Sequence, residues 1–156
     1  MLNSKKLITN WSYGSVLLYA IVLLVFLAGT ACGGSGGTTI AKKVEVPILS
    51  MNDSGQTGNA VLRDSGSGLT EVHIRTNRVG ASFGDAQNVA IYQGTCDALG
   101  TRAHEIKDIL YGESEPPTNV KASISDLRTG NFVINVHAGD DWGSKSTACG
   151  AIPAAA

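Results

Sequence analysis

The chain has 156 residues, of which 43% are hydrophobic and 16% charged, with a formal net charge of −1. That composition excludes a largely disordered chain, and the near-neutral charge excludes a basic surface built for nucleic acid. The 19 glycines favour a turn-rich, all-β domain over a helical one.

The first 31 residues stand apart from the rest. Lys5 and Lys6 make a basic start, and residues 16–28 form an apolar run of 13, with Tyr19 the one polar-tipped member. A bilayer span takes roughly 20 residues, so this run fits the apolar core of a secretory signal. Gly29, Thr30 and Ala31 then precede Cys32. The arrangement resembles the lipobox of bacterial lipoproteins, in which the cysteine is lipidated and becomes the new N-terminus. Gly29 stands where that family usually has a branched aliphatic residue. Ordinary cleavage after small residues and an uncleaved membrane anchor remain open beside it. The lipoprotein reading makes residues 1–31 a signal peptide of that type and Cys32 the lipidation site. It expects an exported domain on the extracytoplasmic face of the cell membrane.

Residues 32–41 include Gly33, Gly34, Ser35, Gly36, Gly37, Thr38 and Thr39, the composition of a flexible tether. Without Lys5 and Lys6, ten basic residues face 13 acidic ones, a net charge of −3. That balance attracts no anionic lipid, so the lipid itself would be the membrane link.

Residues 42–156 make the folded domain. Val44, Val46 and Ile48 alternate with Lys43, Glu45 and Pro47, a strand that Pro47 restricts to an edge or an end. Residues 52–58 are a turn cluster, 59–64 a short strand, and 65–68 (SGSG) a hairpin-like connection. Residues 69–76 put Val72 and Ile74 inward and Glu71, His73 and Arg75 outward. Residues 77–84 hold turn formers and an isolated Phe83. In the strand at 88–93, Val89 and Ile91 share one face, Ala90 and Tyr92 the other.

Residues 97–117 are the least regular. Ile106, Ile109 and Leu110 have helix-like spacing, while Tyr111-Gly112 and Pro116-Pro117 stop a helix; a loop with one short strand reads equally well. Val120, Ala122 and Ile124 alternate with Lys121, Ser123 and Ser125, which predicts a strand. Thr129-Gly130 turns into a further strand, with Phe132, Ile134 and Val136 on one face and Val133, Asn135 and His137 on the other. A polar loop over residues 138–143 carries Asp140, Asp141 and Trp142, and residues 147–152 make a last strand bearing Cys149. Seven or eight short strands predict an all-β Greek-key sandwich or barrel. Its expected core holds Val44, Val46, Val72, Ile74, Val89, Ile91, Val120, Ile124, Phe132, Ile134 and Val136.

The chain has three cysteines. An odd count in an exported protein asks for an explanation. Lipidation of Cys32 supplies one and leaves Cys96 and Cys149 as a pair, which an oxidising compartment would bond. Two separate buried thiols are the alternative.

Two stretches together carry a family resemblance: residues 88–96, NVAIYQGTC, and residues 133–152. Gly94-Thr95-Cys96, Asn135-Val136-His137 and Ala148-Cys149-Gly150-Ala151-Ile152 follow one another as in the copper/zinc superoxide dismutase fold family. The chain looks most like the exported bacterial domains related to it. The resemblance implies a Greek-key barrel and a disulfide between Cys96 and Cys149.

The metal chemistry that the family implies needs several imidazoles converging on copper. Its His-x-His positions hold Ala90 and Tyr92 here, leaving His137 as the matching ligand and a weak metal candidate. The zinc-loop region offers His104 without a second histidine at ligand spacing, and His73 is isolated. Lys145 stands near the place of the family's arginine. The sequence therefore predicts neither a copper nor a zinc cofactor and no catalytic residue. Two function classes follow: a non-catalytic domain with a binding or structural role at the cell surface, or a metal-dependent enzyme with an altered site. A weak metal-binding module using His137 with Asp140 or Asp141 is a third. Tyr92 and Trp142 are the candidate contacts for a protein or glycan ligand, since aromatic residues in loops are enriched at recognition sites.

Overall fold

Period-two hydrophobic patterning becomes strand after strand in the computed structural model, which describes residues 42–77 and 85–155. Among the described residues the elements are β1 (Lys43–Ser50), β2 (Gly58–Gly66), β3 (Leu69–Thr76), β4 (Gln87–Thr95), β5 (Ala98–Ile109), β6 (Thr118–Val120), α1 (Ile124–Thr129), β7 (Phe132–His137) and β8 (Ser146–Ala151). Residues 1–41, where the sequence leads one to expect a signal peptide, the lipidated Cys32 and a tether, lie outside the described residues, as does Phe83. No helix among the described residues is long and apolar enough to cross a membrane.

The strands form one antiparallel sheet in the order β5-β4-β7-β8-β1-β2-β3-β6. It curls into a nearly closed barrel. The last gap lies between β5 and β6, where the Lys107 amide donates to Thr118 Oγ1 at 2.8 Å. β1 serves both halves: Lys43 to Ile48 pair with β2, and Leu49 and Ser50 pair with β8. Pro47, which has no N–H to give, sits opposite Asn59 of β2, two residues before the β8 pairing begins. Gly150 permits the close approach there, because a Cβ would lie 2.3 Å from the Pro47 carbonyl oxygen.

The inward faces supply the core expected from alternation. Val46, Val72, Ile74, Val89, Ile91, Ile134 and Val136 are fully buried in one cluster, and Phe132 packs against it. The β2–β3 hairpin turns at Ser67 and Gly68, with positive φ at both and at Gly66.

Two elements differ from the sequence reading. Residues 98–109 form the longest strand, β5, rather than a loop or short helix. Three register shifts against β4 break its alternation, so Ile106 and Ile109 point inward although they are three residues apart. The predicted strand through Ile124 ends at Val120, and Ile124 opens α1 instead. Ser123 caps the helix: its hydroxyl accepts from the Asp126 amide at 3.1 Å, while Asp126 Oδ2 accepts from the Ser123 amide at 3.3 Å. This reciprocal pair outweighs the strand pattern, and Ile124 and Leu127 still reach the core, one helical turn apart.

A buried amide pair sits beneath the end of β7. Gln56 Nε2 donates to Gln87 Oε1 at 2.8 Å, and Gln87 Nε2 donates back to Gln56 Oε1 at 3.1 Å and to the His137 carbonyl at 3.0 Å. Gln56 is 1% exposed and Gln87 5%. Truncating Gln56 to alanine strands a buried amide and opens a void. The expected loss is about 1–3 kcal/mol in urea unfolding with an unchanged slope. A loss below about 0.5 kcal/mol would remove the pair from the stabilising interactions.

Candidate functional site

The outward face of β4, β7 and β8 is itself covered. Ala90, Tyr92, Val133 and Cys149 form a second buried cluster there, with Met51, Cys96, Leu99 and Trp142 packed against it. Register explains the grouping: Ala90 lies opposite Asn135, and Tyr92 opposite Val133. The period of two then places His137 on the same face, one step further along β7.

Cys96 and Cys149 are bonded, with Cα atoms 5.8 Å apart. The bond ties the β4–β5 turn to β8. Gly94 makes that turn possible: its φ is +110°, and a Cβ would lie 2.5 Å from the Ala98 carbonyl oxygen.

His137 is 4% exposed and engaged on both ring nitrogens. Nδ1 lies 3.0 Å from the Ser144 carbonyl oxygen, which can only accept, so Nδ1 carries the proton. Nε2 is then the acceptor, facing the Tyr92 hydroxyl at 3.0 Å and Asn135 Nδ2 at 3.2 Å. The loop between β7 and β8 is shaped to bring Ser144 there. Ser144 N donates to the Asp141 carbonyl at 3.0 Å, and Asp141 Oδ1 accepts from Gly143 N at 2.9 Å. Asn88 of β4 holds the same loop through the carbonyls of Gly139 and Asp140.

Burial pushes the Tyr92 phenol above its ordinary pKa, against the pull of the nearby Arg102 guanidinium. The phenol therefore stays protonated and donates to His137. Trp142 meets the imidazole edge-on, with centroids 5.6 Å apart and planes at 80°. Arg102 lies over the other aromatic surface, its Cζ 4.0 Å from the Trp142 centroid, and pairs with Glu105 at 3.1 Å. Tyr92, at 8% exposure, is packed inside this lid, and Trp142 is half-buried in it.

The copper that the resemblance implies would need several imidazoles on this face. Ala90 has no donor atom, Tyr92 presents a protonated phenol, and the single imidazole directs its free lone pair at that phenol. These residues do not fit a copper ion held by converging imidazoles. His104 sits on β5 opposite Ile91, away from this face, in an open groove of about 490 Å³ that it shares with Arg102, Glu105, Asn119 and Lys121. Asp140 and Asp141 are exposed, with Asp141 committed to its own turn. Lys145 is exposed as well.

Among the described residues, three donors do converge elsewhere: His73 of β3 with Glu113 and Glu115. Sequence reasoning missed this cluster because it depends on where the irregular stretch after β5 runs.

Compared with known proteins, the chain matches no family model, no curated protein and no solved structure.

Proposed function

We propose that the chain is an exported, lipid-anchored domain of the superoxide dismutase-like Greek-key kind. In this reading the face that would carry copper has become a closed, non-catalytic cluster, and the domain has a binding or structural role at the cell surface. The observation that carries the reading is the state of His137: buried, donating through Nδ1 to Ser144 and accepting through Nε2 from Tyr92. An imidazole so engaged serves packing and hydrogen bonding, and a metal would have to displace the phenol to reach it.

Strand order supports the Greek-key part. β7 does not pair with β6, which precedes it in the chain, but returns through α1 to lie beside β4, a crossing connection of the kind a Greek key contains. The bonded Cys96–Cys149 pair supports export, since disulfides persist outside the reducing cytoplasm. It also leaves Cys32 free of that pair, as lipidation requires. The ligand class this reading favours is a protein or glycan, with the membrane reached through the lipid.

Metal content and superoxide consumption of the detergent-solubilised full chain test the catalytic part. The expected result is no stoichiometric copper and no consumption above the buffer rate. Copper at one per chain, with turnover well above that of the free ion, would defeat the reading.

Anchoring has its own test. Bacterial lipidation adds more than one acyl chain, which stable anchoring needs. Cys32→Ser is therefore expected to move the domain to the soluble fraction or leave an unprocessed precursor. Unchanged fractionation and gel mobility would make the lipid assignment wrong.

A further inference from the structure

The second donor cluster is built from the backbone outward. After β5, the chain makes a tight turn closed by Leu110 and Glu113, whose amides and carbonyls exchange hydrogen bonds at 3.0 and 3.1 Å. Positive φ at Tyr111 and Gly112 shapes the turn. Three further bonds fasten it along β3. Thr76 N donates to the Gly112 carbonyl at 2.7 Å, Ser114 N to the Ile74 carbonyl at 3.0 Å, and Ile74 N to the Ser114 hydroxyl at 3.0 Å. Ser114 is fully buried, so this edge is a fixed scaffold. It sets Glu113 and Glu115, two residues apart, over the outward face of β3, where His73 emerges.

His73 Nε2 lies 3.0 Å from Glu113 Oε1 and 3.2 Å from Glu115 Oε1. The nitrogen is itself shut off from solvent, yet neither approach has the direction of a hydrogen bond. The contacts are close in distance and wrong in angle for N–H donation. One donor atom from each of the three residues falls within a 4.8 Å span. A tetrahedral ion with bonds of about 2.0–2.1 Å keeps its ligand atoms roughly 3.4 Å apart. The 3.0 and 3.2 Å separations are a few tenths of an ångström short of that, within reach of small side-chain rotations. Arg75 supplies the outer support: its Nε donates to Glu113 Oε1. Ligating carboxylates are commonly fixed by such a partner.

We propose that His73, Glu113 and Glu115 form a binding site for a divalent transition ion of the zinc class, with water completing the coordination. Imidazole with carboxylates is a zinc-type donor set, and three protein ligands leave one position open. The site lies on β3 and is independent of the His137 face and of the function proposed for it.

The test is zinc titration of the detergent-solubilised full chain by calorimetry, with cobalt absorption as a reporter of nitrogen–oxygen coordination. The wild type should bind one zinc. Glu115→Gln removes an exposed ligand without touching the core, and His73→Gln removes the nitrogen. Each should weaken zinc binding at least about tenfold, while His104→Gln, at a histidine outside the cluster, should leave it unchanged. Circular dichroism checks that every variant is folded. A wild-type chain that takes up no zinc overturns the proposal, because the triad then only shares protons. Zinc bound with equal affinity by wild type, Glu115→Gln and His73→Gln overturns it too, by assigning the ion to other donors.

Discussion

Replacing Cys96 and Cys149 together by alanine is expected to cost about 4 kcal/mol of folding stability. The bond closes a loop of 53 residues, from the β4–β5 turn through β5, β6, α1 and β7 to β8. Chain entropy alone gives that figure, because the open unfolded chain gains freedom that the bonded one lacks. The native side adds a smaller loss. Cys149 is 1% exposed between Ala90, Tyr92 and Val133, so truncation leaves a void there. Domains are stable by only about 5–15 kcal/mol in all. The variant should therefore melt roughly 15–25 °C lower and unfold at much lower urea. The double substitution is the right comparison, since a single one leaves an unpaired thiol. A loss under about 1 kcal/mol would show that the β-sheet contacts already restrict the unfolded chain as much as the bond does.

Parts of this molecule could be read from residues because local and tertiary signals agree. Val89 and Ile91 alternate with Ala90 and Tyr92, and the barrel uses both faces as that pattern implies. The SGSG connection turns where its glycines and serines say it must. The pairing of Cys96 with Cys149 followed from parity and from the resemblance. Other parts were hidden for identifiable reasons. Bulges in β5 desynchronise its inward residues, so a twelve-residue strand reads as irregular sequence. At Ile124 two periodicities compete, and the deciding signal was present: Ser123 and Asp126 have capping-box spacing just before a buried pair at helical distance. The hydrogen-bond closure of His137 needed the path of the loop over residues 138–145, which spacing alone does not give. The His73 cluster joins residues some 40 positions apart, so no motif search along the chain would gather it.

The remaining large effect concerns the outward face of β4. Ala90→His combined with Tyr92→His is expected to raise copper affinity at least about 100-fold, since even outer partners of a metal ligand are worth 10–100-fold and these would bind the ion directly. Geometry supplies the reason. β4 pairs with β7 so that Ala90 and Tyr92 share the outward face with His137. In the wild type the Tyr92 hydroxyl caps His137 Nε2 at 3.0 Å. Removing the phenol frees that lone pair, and the shorter imidazole leaves room for an ion between the rings. Nδ1 of His137 keeps its bond to the Ser144 carbonyl, which fixes the tautomer with Nε2 ready to ligate. The substitution has a cost. Ala90 is fully buried beneath a lid that includes Trp142, so a histidine there must displace it and overpack the cluster, at about 1–3 kcal/mol. The metal-free variant should thus be less stable than the wild type, and copper should restore the difference by binding the folded state alone. Competition titration against a chelator measures the affinity, and nitrogen hyperfine splitting in the copper resonance counts the imidazoles. A folded variant that binds copper no better than the wild type would mean that these three side chains do not converge on one point.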